Sequence, residues 1–259
     1  MLNIAIEAAR EAGKFLKYHM GKVQEVKQKG AHSINLVTEI DRLSEEKIIG
    51  KIKQHFPTHD ILAEESGTAH GKTSSFKWII DPLDGTTNYT HSYPVYAVSI
   101  ALAQDDDLVL GVIYDPNFDE LFTAERGNGA YLNGKRLHAT KTDALINSLL
   151  ATGFPYNVRE NPDHAIEHFD NFLMEVQGIR RLGSAALDLA YVAAGRLDGF
   201  WEVQLNPWDL AAGVLLIREA GGKVTDFDGK PFRISQKRVL ASNGCIHDEM
   251  MRVLKKAIP

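Results

Sequence analysis

Two aspartates, Asp81 and Asp84, stand in the run Trp78-Ile79-Ile80-Asp81-Pro82-Leu83-Asp84-Gly85-Thr86-Thr87-Asn88-Tyr89. Carboxylates are hard oxygen ligands suited to magnesium, and the backbone N–H groups of Gly85 and Thr86 are placed to meet an anion. The run is therefore expected to hold a divalent cation and a phosphate side by side. Three other carboxylates qualify for the same chemistry, each with a plainer alternative. Glu64 follows the apolar triplet Ile61-Leu62-Ala63, so it sits where strand ends converge on a cleft, although Glu64-Glu65 also fits a solvated loop. Asp209 takes the third position of a helix that Asn206 caps and Pro207 opens, so helix-start chemistry alone accounts for it. Asp41 follows Thr38 at capping-box spacing, and capping is the safer assignment.

Other phosphatase chemistries fail on residue type. A cysteine phosphatase needs a thiolate in an arginine-bearing phosphate loop, but Cys245 is followed by Ile246-His247-Asp248-Glu249. An aspartyl-phosphate enzyme of the haloacid dehalogenase type spaces its aspartates more closely than Asp81 and Asp84. No G-x-x-x-x-G-K-[ST] loop is present either.

These positions need elements to carry them. Residues 78–80 read as a short buried strand that Pro82 ends by removing a ladder donor, and Gly85 permits close approach of a ligand to the backbone. Residues 2–19 and 38–56 have helical spacing, the second stopping at Pro57. Residues 95–103, 108–114, 120–124 and 130–132 read as antiparallel strands joined by turns at Asp105-Asp106-Asp107, Pro116-Asn117 and Gly127-Asn128-Gly129. The second half alternates, with helices over residues 162–176, 184–194, 207–220 and 247–257 and strands over 179–182, 199–203, 223–227 and 239–242. That order implies packed helix and sheet layers, an α/β chain of mixed α+β character. No repeat or linker marks a boundary, so residues 1–259 are expected to form one domain, with helices and a meander in 1–140 and alternating strand and helix in 141–259.

With 259 residues, 44% hydrophobic and 24% charged, the chain is long enough to bury one large core. Its net charge of -5 gives no reason to expect nucleic acid or an anionic membrane as partner. An acidic protein that binds a phosphate ester must neutralise it locally, and clustered carboxylates do so through metal ions. The lone Cys245 forms no internal disulfide, residues 1–20 lack the continuous apolar core of a signal peptide, and no run reaches membrane-spanning length. A cytoplasmic location is expected. The ten histidines show no close ligand pair and are expected at the surface. Trp201 and Trp208 are expected as core or wall residues, and Asp188, among Ala185, Leu187, Leu189 and Ala190, as a partly buried residue that packs or supports the site from behind rather than one that catalyses.

Three motifs carry a resemblance: Ala63-Glu64-Glu65-Ser66, the run from Trp78 to Tyr89, and Pro207-Trp208-Asp209-Leu210-Ala211-Ala212-Gly213. In type, order and separation they resemble the inositol monophosphatase family over essentially the whole length. Residues 180–200, R-R-L-G-S-A-A-L-D-L-A-Y-V-A-A-G-R-L-D-G-F, resemble its bacterial SuhB-type branch. The match favours the ligand readings of Glu64 and Asp209 over the plainer ones. It implies a layered αβαβα sandwich of the inositol monophosphatase and fructose-1,6-bisphosphatase type. Such proteins are commonly homodimers that hydrolyse phosphate monoesters with two or three Mg²⁺ ions per site and are inhibited by lithium.

Carried over by residue, Glu64, Asp81 and the Leu83 backbone carbonyl hold the first metal, and Asp81, Asp84 and Asp209 the second. Two magnesium ions roughly 4 Å apart share the tasks of cancelling phosphate charge and activating water. Gly85 and Thr86 present N–H groups to the phosphate, Thr86 and Glu64 orient the attacking water, and Gly183, Ser184, Ala185 and Glu202 contact the alcohol. Asp41 matches a position near an outer metal, while Lys27 and Lys29 lie in a loop that leaves open which of them approaches the site. Tyr89 replaces a common Phe with no function attached.

The implied reaction is hydrolysis of myo-inositol-1-phosphate and related polyol or sugar monophosphates. Fructose-1,6-bisphosphatase and NADP phosphatase share the metal core, so dual specificity stays open, with Glu202 and the Asp84-to-Tyr89 ending favouring the inositol group. The SuhB-type likeness also allows a role of another class, a scaffold in a transcription or RNA-processing complex. Given the acidic charge, that role would run through a protein partner.

Overall fold

The structure, a computed structural model, describes residues 1–21, 26–28, 36–69 and 74–256. Helix α1 (Leu2–His19) is followed by a short antiparallel pair, β1 (Val26–Gln28) and β2 (Leu36–Thr38), and by α2 (Glu39–His55). A larger sheet takes β3 (Asp60–Ala63), β4 (Gly67–Ala69), β5 (Phe76–Asp84), β6 (Ala97–Gln104), β7 (Asp107–Asp115), β8 (Glu120–Glu125), β9 (Gly129–Leu132) and β10 (Lys135–Arg136). Their spatial order is β10-β9-β8-β7-β6-β5-β3-β4, antiparallel except where β3 lies parallel to β5. One-turn helix α3 (Thr86–Thr90) leaves the end of β5.

The second sheet contains β11 (Leu149–Thr152), β12 (Gly178–Arg180), β13 (Gly199–Glu202), β14 (Lys223–Thr225) and β15 (Val239–Ser242), in the order β12-β11-β13-β15-β14. Around it lie α4 (Ala165–Leu173), α5 (Ala185–Ala193), α6 (Pro207–Glu219) and α7 (His247–Leu254).

The layers follow from strand alternation. On β6, Val98, Ile100 and Leu102 enter a core shared with α1 and α2, whereas Ala97, Ala101 and Ala103 enter a core shared with α5 and α6. On β13 and β15, Phe200 and Ala241 face that same middle core, while Trp201 and Leu240 face a third one beneath α4 and α7. The result is the expected αβαβα sandwich, with α5 and α6 between the two sheets. Buried on all sides, α6 is apolar from Leu210 through Ile217, as a helix without a solvent face must be. Its neighbour α5 is likewise apolar apart from Ser184 at its cap, Asp188 and Tyr191. Among the described residues, no helix is long and apolar enough to cross a membrane.

Several expectations need correction. Pro82 does not end its strand: β5 continues to Asp84 through a bulge, with Asp81 opposite Ser99 and Asp84 opposite Ala97. A bulge leaves a residue unpaired, so the missing proline N–H is tolerated there. The helix expected over residues 162–176 starts only at Ala165, because Asp163 (φ 50°) and His164 (φ 58°) are left-handed. Strand β11 was not anticipated, although it pairs with both β12 and β13. Nor do all the histidines lie at the surface. His247 is fully buried, with Nε2 2.9 Å from Thr225 Oγ1 and Nδ1 2.8 Å from Ser242 Oγ, and His168 is buried edge-on to Phe227. Trp201 does belong to the core, stacked on Phe172 at 4.0 Å, and Tyr89 is buried with its hydroxyl donating to the Leu16 carbonyl at 2.8 Å.

Candidate active site

The turn leaving β5 is held by its own backbone. Asp81 Oδ1 accepts the Leu83 N–H at 3.0 Å, closing the bulge. Gly85 takes φ 103°, and a Cβ there would stand 2.9 Å from the Val95 carbonyl oxygen. Only glycine satisfies both demands, so the surrounding backbone needs Gly85 independently of any ligand. Thr86 then opens α3 with its hydroxyl 3.1 Å from the Leu83 carbonyl and 3.2 Å from Asp41 Oδ2. Asn88 Nδ2 donates to the carbonyls of Val95 and Leu182, both at 2.8 Å, which ties the turn to the loop that carries Gly183.

The other carboxylates arrive on separate elements. Glu64 follows β3, whose Ala63 pairs with Ile80 of β5, and the turn after it is fixed by Glu45 of α2, which accepts the N–H groups of Glu65 (2.8 Å) and Ser66 (2.9 Å). Asp209 Oδ2 accepts the Asn206 N–H at 2.7 Å. Helix-start chemistry is thus real, but it uses one oxygen and is compatible with a ligand role for the other. Asp84 Oδ2 accepts the Ala186 N–H at 2.8 Å and the Ser184 hydroxyl, so the start of α5 grips the turn from the far side.

One cleft of about 600 Å³ is lined by Glu64, Asp81, Leu83, Asp84, Gly85, Thr86, Gly183, Ser184, Ala185, Glu202 and Asp209, all singled out from sequence, but not by Asp41. It is also lined by residues given no site role above, among them Gly153, Phe154, Tyr156, Arg181 and Asp188. Asp188, expected to be buried in packing or behind the site, is 1% exposed and belongs to this wall. Arg181 lies two residues before Gly183 in a motif already quoted, and that position was its only signal. Gly153 to Tyr156 had none, because they follow the unrecognised β11. Asp41 is buried beside Thr86, and its cap partner Thr38 lies outside the residues whose side chains are described, as do Lys27 and Lys29.

Burial pushes the Asp81 carboxyl well above the usual range, and Glu64, Asp84 and Asp209 push it further. Burial and then Glu64 do the same to Asp209 and to Asp41, where Glu65 adds to the effect. Asp84 is raised to about 6 by burial, with the Ser184 hydroxyl and the α5 N–H groups holding it down. Glu202 reaches about 8 through burial and the charge of Asp84, against the opposing guanidinium of Arg181. The Tyr156 hydroxyl is also pushed well up, by desolvation and by Glu64 and Asp84.

Arg181 is the one cationic side chain among the described cleft-lining residues. Repelling carboxylates drawn together with so little compensation fit hard divalent cations, which take oxygen donors and relieve that repulsion. Asp41, Glu64 and Glu65 form a second such donor set, with one oxygen from each lying within 4.8 Å of the others. Fold and cleft together define the class, a layered α/β protein with an acidic cation-binding site between its two sheets.

Comparison with known proteins narrows the class to a family. The model of the inositol monophosphatase family matches residues 1–258. The inositol-1-monophosphatase of Mesorhizobium japonicum is 43% identical over 258 residues, covering 100% of this chain and 97% of that protein. Nus factor SuhB of Escherichia coli K12 is 46% identical over 245 residues, covering 94% of this chain and 91% of that protein. The solved inositol monophosphatase of Anabaena (Nostoc) sp. PCC 7120 superposes with a TM-score of 0.90 at 46% identity, covering 100% of this chain and 96% of that one. The chain belongs to the inositol monophosphatase family, a family of metal-dependent phosphatases.

Proposed function

We propose that the protein is a Mg²⁺-dependent phosphomonoesterase that hydrolyses myo-inositol-1-phosphate, and related polyol or sugar monophosphates, by direct attack of water. The observation that carries this reading is the convergence of Glu64, Asp81, Asp84 and Asp209 on one cleft that Glu202 also lines. Those four carboxylates, with the Leu83 carbonyl, would hold the cations. Bound there, Mg²⁺ supplies charge neutralisation for the phosphate dianion and Lewis acidity that makes water nucleophilic near neutral pH. The chain's own residues orient the reactants. The single Thr86 hydroxyl proton is directed to Asp41 or the Leu83 carbonyl, so its lone pairs are turned to accept from a water, and Glu64 shares that task. Gly85 and Thr86 face their N–H groups to the phosphate, while Gly183, Ser184, Ala185 and Glu202 receive the alcohol. Because attack is by water, no phosphoenzyme forms.

Phosphate release from inositol-1-phosphate, fructose-1,6-bisphosphate and NADP, with wild type, Asp84→Asn and Asp209→Asn, tests the reading. Either substitution is expected to remove most turnover while the fold remains intact. Near-wild-type activity at saturating Mg²⁺ would remove the ligand assignment, and a higher kcat/KM for either rival would replace the substrate. A homodimeric state and lithium inhibition belong to the same proposal.

A second reading is favoured by the likeness to a protein named Nus factor SuhB: a non-catalytic role in a transcription complex, through a protein partner. Full complementation of a deletion phenotype by Asp84→Asn would favour it over catalysis.

A further inference from the structure

The cleft holds one buried carboxyl that the mechanism above does not employ. Asp188 lies in the first turn of α5, just beyond Ser184 and Ala186, which hold Asp84. It is 1% exposed, it lines the cleft, and its Oδ1 has no hydrogen-bond partner among the described residues. An apolar residue would serve packing better there, as Ala185, Ala186, Leu187 and Leu189 do on the same helix. A buried carboxyl oxygen with no donor is destabilising, and such atoms in native folds require an explanation. The charge nearest in effect to Asp188 is that of Glu202, followed by Asp84, with Arg181 opposing both. Glu202 in turn is seated directly on Gly153, where an added Cβ would meet both its carboxylate oxygens at 2.3 Å. Two buried carboxyls, one from α5 and one from β13, therefore line the same cleft.

Resting on the phosphomonoesterase reading, we infer that Asp188 is a specificity-determining residue that binds a hydroxyl of the substrate alcohol beside the hydroxyl taken by Glu202, so that the cleft selects phosphates of polyols with neighbouring hydroxyls. A substrate hydroxyl gives the Asp188 carboxyl a polar partner from the cleft, and it has a lone pair to accept in return when the carboxyl is protonated. An alcohol without hydroxyls leaves the carboxyl without that partner and is discriminated against for that reason.

The test compares kcat/KM for myo-inositol-1-phosphate with that for p-nitrophenyl phosphate, whose leaving group carries no second hydroxyl, in wild type, Asp188→Asn and Asp188→Ala. Asp188→Ala is expected to lower the inositol phosphate value by about tenfold, chiefly through KM, and to leave the p-nitrophenyl phosphate value within about twofold. Asp188→Asn, isosteric and still able to donate and accept, should fall between wild type and alanine with an unchanged melting temperature. If the alanine variant does not fold, asparagine carries the test, and an unchanged ratio of the two substrates overturns the inference. Equal losses on both substrates also overturn it, since packing would then be the whole role of Asp188. A wild-type protein with no preference for the polyol phosphate overturns the substrate reading and the inference together. A wild-type preference that survives Asp188→Ala overturns the inference alone.

Discussion

Replacing Gly153 with alanine perturbs the alcohol-binding wall without altering any group proposed to touch the substrate. Gly153 follows β11 and is not among the residues with positive φ, so alanine meets no backbone strain there. The new Cβ would nevertheless lie 2.3 Å from both carboxylate oxygens of Glu202 and 2.4 Å from its Cδ, where ordinary contact begins at 3.4 Å. The carboxylate must retreat by about 1 Å, a displacement that positioned groups do not tolerate without loss of function. A substrate hydroxyl deprived of its hydrogen bond to Glu202 loses about 1–3 kcal/mol, or about 5- to 150-fold in kcat/KM. The assay is phosphate release from inositol-1-phosphate by Gly153→Ala, Glu202→Ala and the double variant, with p-nitrophenyl phosphate as the control substrate. Because the methyl acts through Glu202, Gly153→Ala should have little further effect once Glu202 is alanine, giving a large coupling term in the double-mutant cycle. Additive losses, or a loss shared equally by p-nitrophenyl phosphate, would refute the reasoning.

Two further predictions concern charge. Asp84 has a folded pKa of about 6 against an ordinary value of 3.8, so its ionised form burdens the metal-free fold in full above about pH 6, and the burden declines as pH falls from about 6 toward 3.8. Asp84→Asn is expected to stabilise EDTA-treated protein at pH 8 by at most about 3 kcal/mol and to abolish much of the melting-temperature rise that Mg²⁺ gives the wild type; a lower melting temperature in EDTA contradicts this. His247 is driven by burial to about 4, below its ordinary 6.5, so the unfolded chain binds its proton first. Stability should be complete above about pH 6.5 and decline as pH falls toward about 4, by at most about 3 kcal/mol from this group. Urea unfolding across that window, with ring titration by NMR, checks it, and protonation of His247 near 6.5 in the folded protein would falsify it.

Sequence legibility tracked how local each feature is. The bounds of α1 were readable in full, because helical spacing lies within the segment itself. The Asp81-to-Thr86 run was readable only in part: its carboxylates and Gly85 are local features, whereas the bulge that carries β5 on to Asp84 depends on pairing with β6. Glu64 and Asp209 each had a sound local alternative, and for Asp209 the local cap proved real alongside its place in the cleft. Only motif order lifted them above those alternatives. Leu149 to Thr152 was not legible, since a four-residue apolar run has no period to distinguish strand from helix. The residues after it, Gly153 and Tyr156, were lost with it. His247 was misplaced because nothing adjacent to it in the chain signals the Thr225 and Ser242 hydroxyls that bracket its ring.

By itself the sequence determined which oxygen ligands exist, which of them end a strand or start a helix, and how each strand divides its side chains between two faces. Those properties follow from residue type, φ/ψ preference and alternation over a few positions. The tertiary structure alone decided that Asp84 meets Ser184 across 100 residues, that Glu202 rests on Gly153, and that the buried Asp188 belongs to the cleft wall. Burial and Coulomb repulsion are properties of distance in space, and so the raised carboxyls that define this site arise only when five layers close around it.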